Sequence, residues 1–385
     1  MNWARIFIVS IALTAAFALR PATPRAAELP KSTQKMLQDL KLTGDPIVAD
    51  LDAEANSMPA SVIEAAKKEG VVEYSGSIDT KDFDKMTAPF RERYPFIKIK
   101  YSSGDQNTRN IKPLVAYKTG RVLVDIVDGL GVNLSDYTAA DAVQKLADLP
   151  NVQNIPVEIR DPNGYWVGPR LQYWCMTYNT NNVKPSELPK TWDDMLTAKV
   201  LRDGRLGIVN RPNNFMIMLW GAKGPAWSEN FMDKLFNEVQ PQFRKEASDA
   251  AVALVGAGEM DVAFPTAGYR TFQEQQKGAP VAWHCAEPLP LSFSALVLIN
   301  KSPHTNAAKL YINWYLSKEG QISQFYADKS PPTHKGLQDP RFLVYSDQII
   351  GRPVAVRYPK LLAEDMSKVA EIWNDKWQKA SSRRR

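Results

Sequence analysis

The feature that most constrains this chain is an alternation of short apolar runs and helical stripes, repeated three times between Pro59 and Gly129. Pro59 to Glu69 reads as a helix, with Pro at its start, Val62, Ile63 and Ala66 on one side, and Gly70 as its C-terminal stop. Val71 to Tyr74 reads as a strand, followed by the turn Ser75-Gly76-Ser77. Phe83, Met86 and Phe90 form a second helical stripe, and Ile97, Ile99 and Tyr101 alternate as in a strand before the turn Ser102-Ser103-Gly104. Ile111, Leu114 and Val115 mark a third helix, ended by Gly120, and the apolar strand Val124 to Val127 closes at Asp128-Gly129. Strands that alternate with helices through short connections pair in parallel, with helices covering the sheet. The theme returns in the strand Leu206 to Val209, the turn at Asn213-Asn214, the helix Ala247 to Val255, the strand Met260 to Phe264 and the turn Thr266-Ala267-Gly268. The fold class is therefore α/β.

Length and the first residues narrow the class further. A chain of 385 residues is long enough for two domains with separate cores. Arg5 precedes an apolar run from Ile6 to Leu19, and small residues follow at Ala26 and Ala27. That run is shorter than the ~20 residues a spanning helix needs. A basic start, a short apolar stretch and a small-residue end make a secretory signal peptide, which places the mature chain in the periplasm. Removing Arg5, Arg20 and Arg25 with it lowers the formal charge from +6 to +3, and the terminal Arg383, Arg384 and Arg385 carry that remainder. A near-neutral body has no basic footprint for nucleic acid. Cys175 and Cys285 are free to pair in an oxidising compartment, but two cysteines so far apart in sequence do not establish a bridge.

Catalytic signatures are missing from the sequence. His284, His304 and His334 are the three histidines, and none has the spacing of a helical or hairpin metal pair. His304 and His334 follow prolines and read as surface-loop residues; His284, beside Trp283, reads as structural. There is no G-x-S-x-G elbow and no Walker loop. No cofactor and no metal are expected.

What remains is a set of small polar turns at the C-terminal ends of strands, where open α/β sheets bind their ligands. Ser75, Ser77, Ser103, Gly104, Gly129, Asn213, Asn214 and Thr266 stand in such turns, ahead of helix N-termini whose free N–H groups favour anions. Any one of these turns is also an ordinary helix cap. Their occurrence in both halves of the chain points to a cleft.

Several strings carry a family resemblance. Ala66-Lys67-Lys68-Glu69-Gly70-Val71-Val72-Glu73-Tyr74-Ser75, Phe90-Arg91-Glu92-Arg93-Tyr94-Pro95, Gly164-Tyr165-Trp166-Val167-Gly168 and Pro189-Lys190-Thr191-Trp192-Asp193-Asp194-Met195-Leu196 resemble the family 1 extracellular solute-binding proteins of ABC importers. So do Tyr178-Asn179-Thr180 and Ala307-Ala308-Lys309-Leu310-Tyr311-Ile312, and the branch is the one with ferric-iron, thiamine and phosphonate binders.

The resemblance implies a two-lobed periplasmic binding protein fold of type II. Residues 1–27 would be the signal peptide, 28–58 an N-terminal extension, 59–169 with 291–327 lobe I, 170–290 lobe II, and 328–385 C-terminal helices packing across the lobes. The chain would cross between lobes near Arg170-Leu171-Gln172-Tyr173 and Leu291-Ser292-Phe293, which puts Arg170 and Tyr173 at the cleft. The expected partners are a small polar or anionic solute and a membrane-embedded permease, with the protein a monomer. Iron-binding members use two adjacent tyrosines; counting back from Lys277-Gly278, the second matches Tyr269 and the first falls on Gly268. That departure argues against ferric iron and for an organic ligand. An iron binder of the same fold and a secreted transferase-like enzyme are the alternatives.

Overall fold

The computed structural model describes residues 28–383, and the predicted signal peptide lies outside the described residues. Eleven strands are present among them: β1 (Val71–Gly76), β2 (Lys98–Ser103), β3 (Ile126–Leu130), β4 (Val143–Gln144), β5 (Val167–Asn179), β6 (Leu206–Val209), β7 (Gln242–Arg244), β8 (Val262–Ala267), β9 (Val281–His284), β10 (Leu289–Ile299) and β11 (Val354–Val356). In lobe I, β1 lies between β2 and β3 and is parallel to both, as the alternation requires. In lobe II, β6 lies between β7 and β8 and is again parallel to both.

The two longest strands break the all-parallel expectation. β5 and β10 run antiparallel to each other, with Tyr173 opposite Leu291 and Arg170 opposite Ser294. At one end β10 pairs antiparallel with β3 of lobe I, and at the other β5 pairs antiparallel with β8 and β9 of lobe II. A chain that leaves one sheet and later returns must cross twice in opposite directions, so each lobe acquires an antiparallel edge.

Strands also run further than their apolar runs. Ser75 and Gly76 belong to β1, Ser102 and Ser103 to β2, Asp128 and Gly129 to β3, and Thr266 and Ala267 to β8. Ladder hydrogen bonds use the backbone alone, so a parallel partner extends pairing into polar residues that read as turns.

Each lobe has its own core. Tyr74, Phe83, Phe90, Tyr311 and Trp314 pack in lobe I. Trp192, Phe215, Phe264 and Trp373 pack in lobe II, where the last helix, Pro359–Ser382, lays down Met366, Val369, Trp373 and Trp377. The extension is anchored by a buried carboxylate. Glu319 accepts from Thr33 Oγ1 at 2.6 Å, Arg93 Nε at 2.6 Å and Trp314 Nε1 at 2.7 Å. His334 is not a surface residue: it is 3% exposed, and its Nε2 lies 3.1 Å from Glu54 of the extension. His304 is partly buried beside Asp125, and His284 Nε2 meets the Pro189 carbonyl. Cys175 and Cys285 are fully buried and joined as a disulfide, with Cα atoms 5.0 Å apart. No helix of the described residues is long and apolar enough to cross a membrane.

Candidate functional site

The ends of β1 and β3 meet β5 and the lobe II helix Gly268–Gln276 around three arginines. Arg170, on β5, is 1% exposed. Its Nη2 donates to Ser77 Oγ and its Nη1 lies 3.5 Å from Asp328 Oδ2. Asp128, in β3, is also fully buried. Burial opposes charge on all three groups; the two carboxylates hold the Arg170 guanidinium firmly charged, and Arg170 in turn restrains the rise that burial imposes on Asp128 and Asp328.

Arg109 enters from the turn Asn107–Ile111 that follows β2. Its carbonyl accepts from Ser75 Oγ at 3.1 Å, and its guanidinium rests against Gly129. Gly129 has φ +83°, and a Cβ there would run into Arg109 Nη1 and Ser77 Oγ, so only glycine fits. Burial, then the neighbouring Arg170, pushes the Arg109 pKa down.

Tyr269 and Arg270 form the first turn of the helix Gly268–Gln276. Arg270 Nη2 reaches Asp79 of lobe I at 3.0 Å and Asp249 of lobe II at 3.1 Å. Gln273 Nε2 adds Asp82 Oδ2 at 3.3 Å and the Asp328 carbonyl at 3.1 Å, so the lobes touch across the cleft. Among the described residues, four guanidinium nitrogens are buried with no hydrogen-bond partner: Arg109 Nε and Nη1, Arg170 Nε and Arg270 Nε. Unmet buried donors are costly. Planar guanidinium forks are suited to carboxylate or phosphate oxygens.

The sequence profile of the bacterial extracellular solute-binding protein family matches residues 85–349. The chain belongs to that family. Solved structures agree on its fold. Iron-bound HitA from Pseudomonas aeruginosa superposes with a TM-score of 0.67 at 19% identity, over 80% of this chain and 99% of that one. The binding protein AfuA from Actinobacillus pleuropneumoniae, with fructose-6-phosphate bound, gives 0.64 at 16% identity over 80% and 99%. The substrate-binding protein of an Agrobacterium tumefaciens ABC transporter gives 0.67 at 15% identity over 81% and 96%. Comparison with curated proteins by sequence returned no match.

In this solute-binding protein the residues singled out by sequence do not all converge. Gly129 packs against both Arg109 and Ser77, Arg170 donates to Ser77, and Ser75 braces the Arg109 backbone. Tyr269 is in the same charge environment: burial, then Asp249, pushes its phenol pKa up, while Arg270 and Arg170 oppose the rise. Tyr173 lies beside Tyr269 and Gly268, facing Pro331 and Ile349, with its phenol pushed up to about 12 by burial. Ser103 and Gly104 are exposed; the Ser103 hydroxyl pairs with Thr80 Oγ1 and Gly104 packs on Thr108. Thr266 is not in a turn: it lies within β8, its hydroxyl paired with Thr177 and bonded to the Cys175 carbonyl. Asn213 and Asn214 bond each other at 3.1 Å, and the Asn213 carbonyl accepts from Arg357.

Sequence reasoning missed Arg109, Arg270 and the buried pair Asp128 and Asp328. Arg270 carried a signal, since it follows Tyr269. Arg109 sits in the polar stretch Asp105–Asn110, which reads only as a helix lead-in. Among the described residues no group of three or more His, Cys, Asp or Glu could hold a metal ion.

Proposed function

We propose that this protein is the substrate-binding component of an ABC importer, that it works in the periplasm, and that it captures a small anionic organic solute by closing its two lobes before presenting it to a membrane-embedded permease. The observation that carries the anionic reading is the set of buried, unpartnered guanidinium nitrogens on Arg109, Arg170 and Arg270, supplied by both lobes. Closure that brings these donors onto one carboxylate or phosphate links binding to lobe motion. The AfuA neighbour, with its fructose-6-phosphate, supports a phosphorylated ligand within that class.

The test is a thermal-shift and calorimetric panel on the mature protein. A ligand at one hundred times its Kd stabilises by about 2.7 kcal/mol. Fructose 6-phosphate, alkylphosphonates and citrate are the expected stabilisers, recovered unchanged after binding, as fits a carrier. Arg109→Ala should weaken the best of them more than tenfold while leaving the apo melting temperature unchanged or raised. Stabilisation by thiamine or polyamines alone sinks the anionic reading, and turnover of the bound solute sinks the carrier reading.

Ferric iron is the competing cargo, since HitA is named as iron-bound. Here one tyrosine stands where that branch uses two, and burial resists its ionisation.

A further inference from the structure

Arg357 lies just past β11, beyond the family-matched residues, and is 8% exposed. β11 joins β10 in parallel, and Arg357 N donates to the Leu291 carbonyl at 2.9 Å. The guanidinium then sits where three parts of the molecule meet. Nη1 donates to the Asn213 carbonyl of lobe II at 3.1 Å, and Nη2 to the Phe293 carbonyl of the crossing strand at 3.4 Å. Gly131, just after β3 of lobe I, packs on the same group, where a Cβ would fall 3.3 Å from Nη2.

Arg357 differs from Arg170, Arg93 and Arg270 in its partners. Arg170 has Asp328, Arg93 has Asp52 and Glu319, and Arg270 has Asp79 and Asp249. Among the described residues Arg357 forms no ion pair, and burial alone pulls its pKa down to about 10. Two carbonyl dipoles do not neutralise a buried cation. Arg109 shares this lack of a carboxylate partner, and it rests on Gly129. Gly129 and Gly131 are two residues apart, about 7 Å along an extended chain. Two cations without a direct ion pair, Arg109 near the Asp128 carboxylate and Arg357 with no acid beside it, thus pack on the two glycines at the end of β3.

We propose that Arg357 is a specificity-determining residue of the cleft, and that with Arg109 it selects solutes carrying two separated anionic groups over those carrying one. The proposal rests on the anionic reading above and names the ligand class within it.

The experiment compares matched probes by calorimetry: 4-phosphonobutyrate against butylphosphonate, and glutarate against butyrate. Wild-type protein is expected to favour the two-anion member of a pair at least tenfold. Arg357→Met should abolish that preference, leave the one-anion affinity within about twofold, and keep or raise the apo melting temperature. Arg357→Lys, which keeps the charge, should retain part of the preference. Arg109→Ala should weaken both members. If Arg357→Met and Arg357→Lys both leave the preference intact, or if Arg357→Met weakens both members equally, the proposal falls and Arg357 is an interlobe strut. A wild-type protein that binds one-anion and two-anion probes alike also overturns it while the anionic reading stands. Binding of no probe overturns both.

Discussion

Replacing Arg170 by alanine does two things at once. It removes a donor from the cleft, and it leaves Asp128 and Asp328 buried without their cation. Breaking a buried ion pair from one side costs about 3–5 kcal/mol. The loss of solute affinity should therefore come with a lower melting temperature, unlike the loss in Arg109→Ala. An Arg170→Ala protein that melts with wild type contradicts the pairing seen here. Tyr269 decides the cargo question at the same scale. Purified protein should stay colourless when ferric citrate is added, because one buried phenol resists ionisation and Gly268 offers no second. Tyr269→Phe should weaken an organic solute by about 0.5–1.5 kcal/mol, or more for a charged partner. A stoichiometric visible band that vanishes in Tyr269→Phe restores the iron reading.

At the scale of elements, legibility followed periodicity. The helix Thr80–Arg93 and strand β6 were readable from their apolar spacing, and the observed ends differ by a few residues or none. The turns at Ser75 and Ser102 were not, because parallel pairing carried the strands into polar sequence that has no strand signature. Arg109 and Asp328 were illegible for a related reason: their places around Arg170 depend on two crossing strands and a C-terminal return, none of which leaves a local pattern. The extension makes a testable element of its own. A hydrogen bond from Tyr326 holds Asp39 below its ordinary pKa, and one from Arg341 does so for Asp45. Burial opposes the shift at Glu54, but His334 and the Lys318 amide prevail and lower it too. Depressed carboxylates contribute stability above their ordinary pKa and lose it as pH falls through the depressed value. Hydrogen exchange between pH 7 and 3 should thus show helix Lys31–Asp39 opening before the lobe cores. Protection of that helix that persists to global acid unfolding counts against these latches.

At the scale of the whole molecule, the lobes touch across the cleft through polar side chains as well as through the crossing strands. The Arg270–Asp79 pair and the Gln273–Asp82 bond span the cleft, and Asp79 is half-exposed. Exposed ion pairs are worth about 0.2–1 kcal/mol. Asp79→Ala should open the unliganded protein, visible as a larger radius of gyration in solution scattering, and weaken solute binding by no more than about fivefold. A radius unchanged in Asp79→Ala shows that other contacts set the closed state. The disulfide has a mechanical consequence. Cys175 and Cys285 sit where the chain enters and leaves lobe II, so tension applied at the two termini passes through the sulfur bridge and bypasses everything between. Stretched by an optical trap, the oxidised protein should unravel lobe I and peel off the helix Pro359–Ser382, then stop short by the length of the bypassed segment, roughly 380 Å at about 3.5 Å per residue. Adding a reductant should restore that missing extension as a second rip, with the chain between the two cysteines acting as a sealed spool that tension alone never turns.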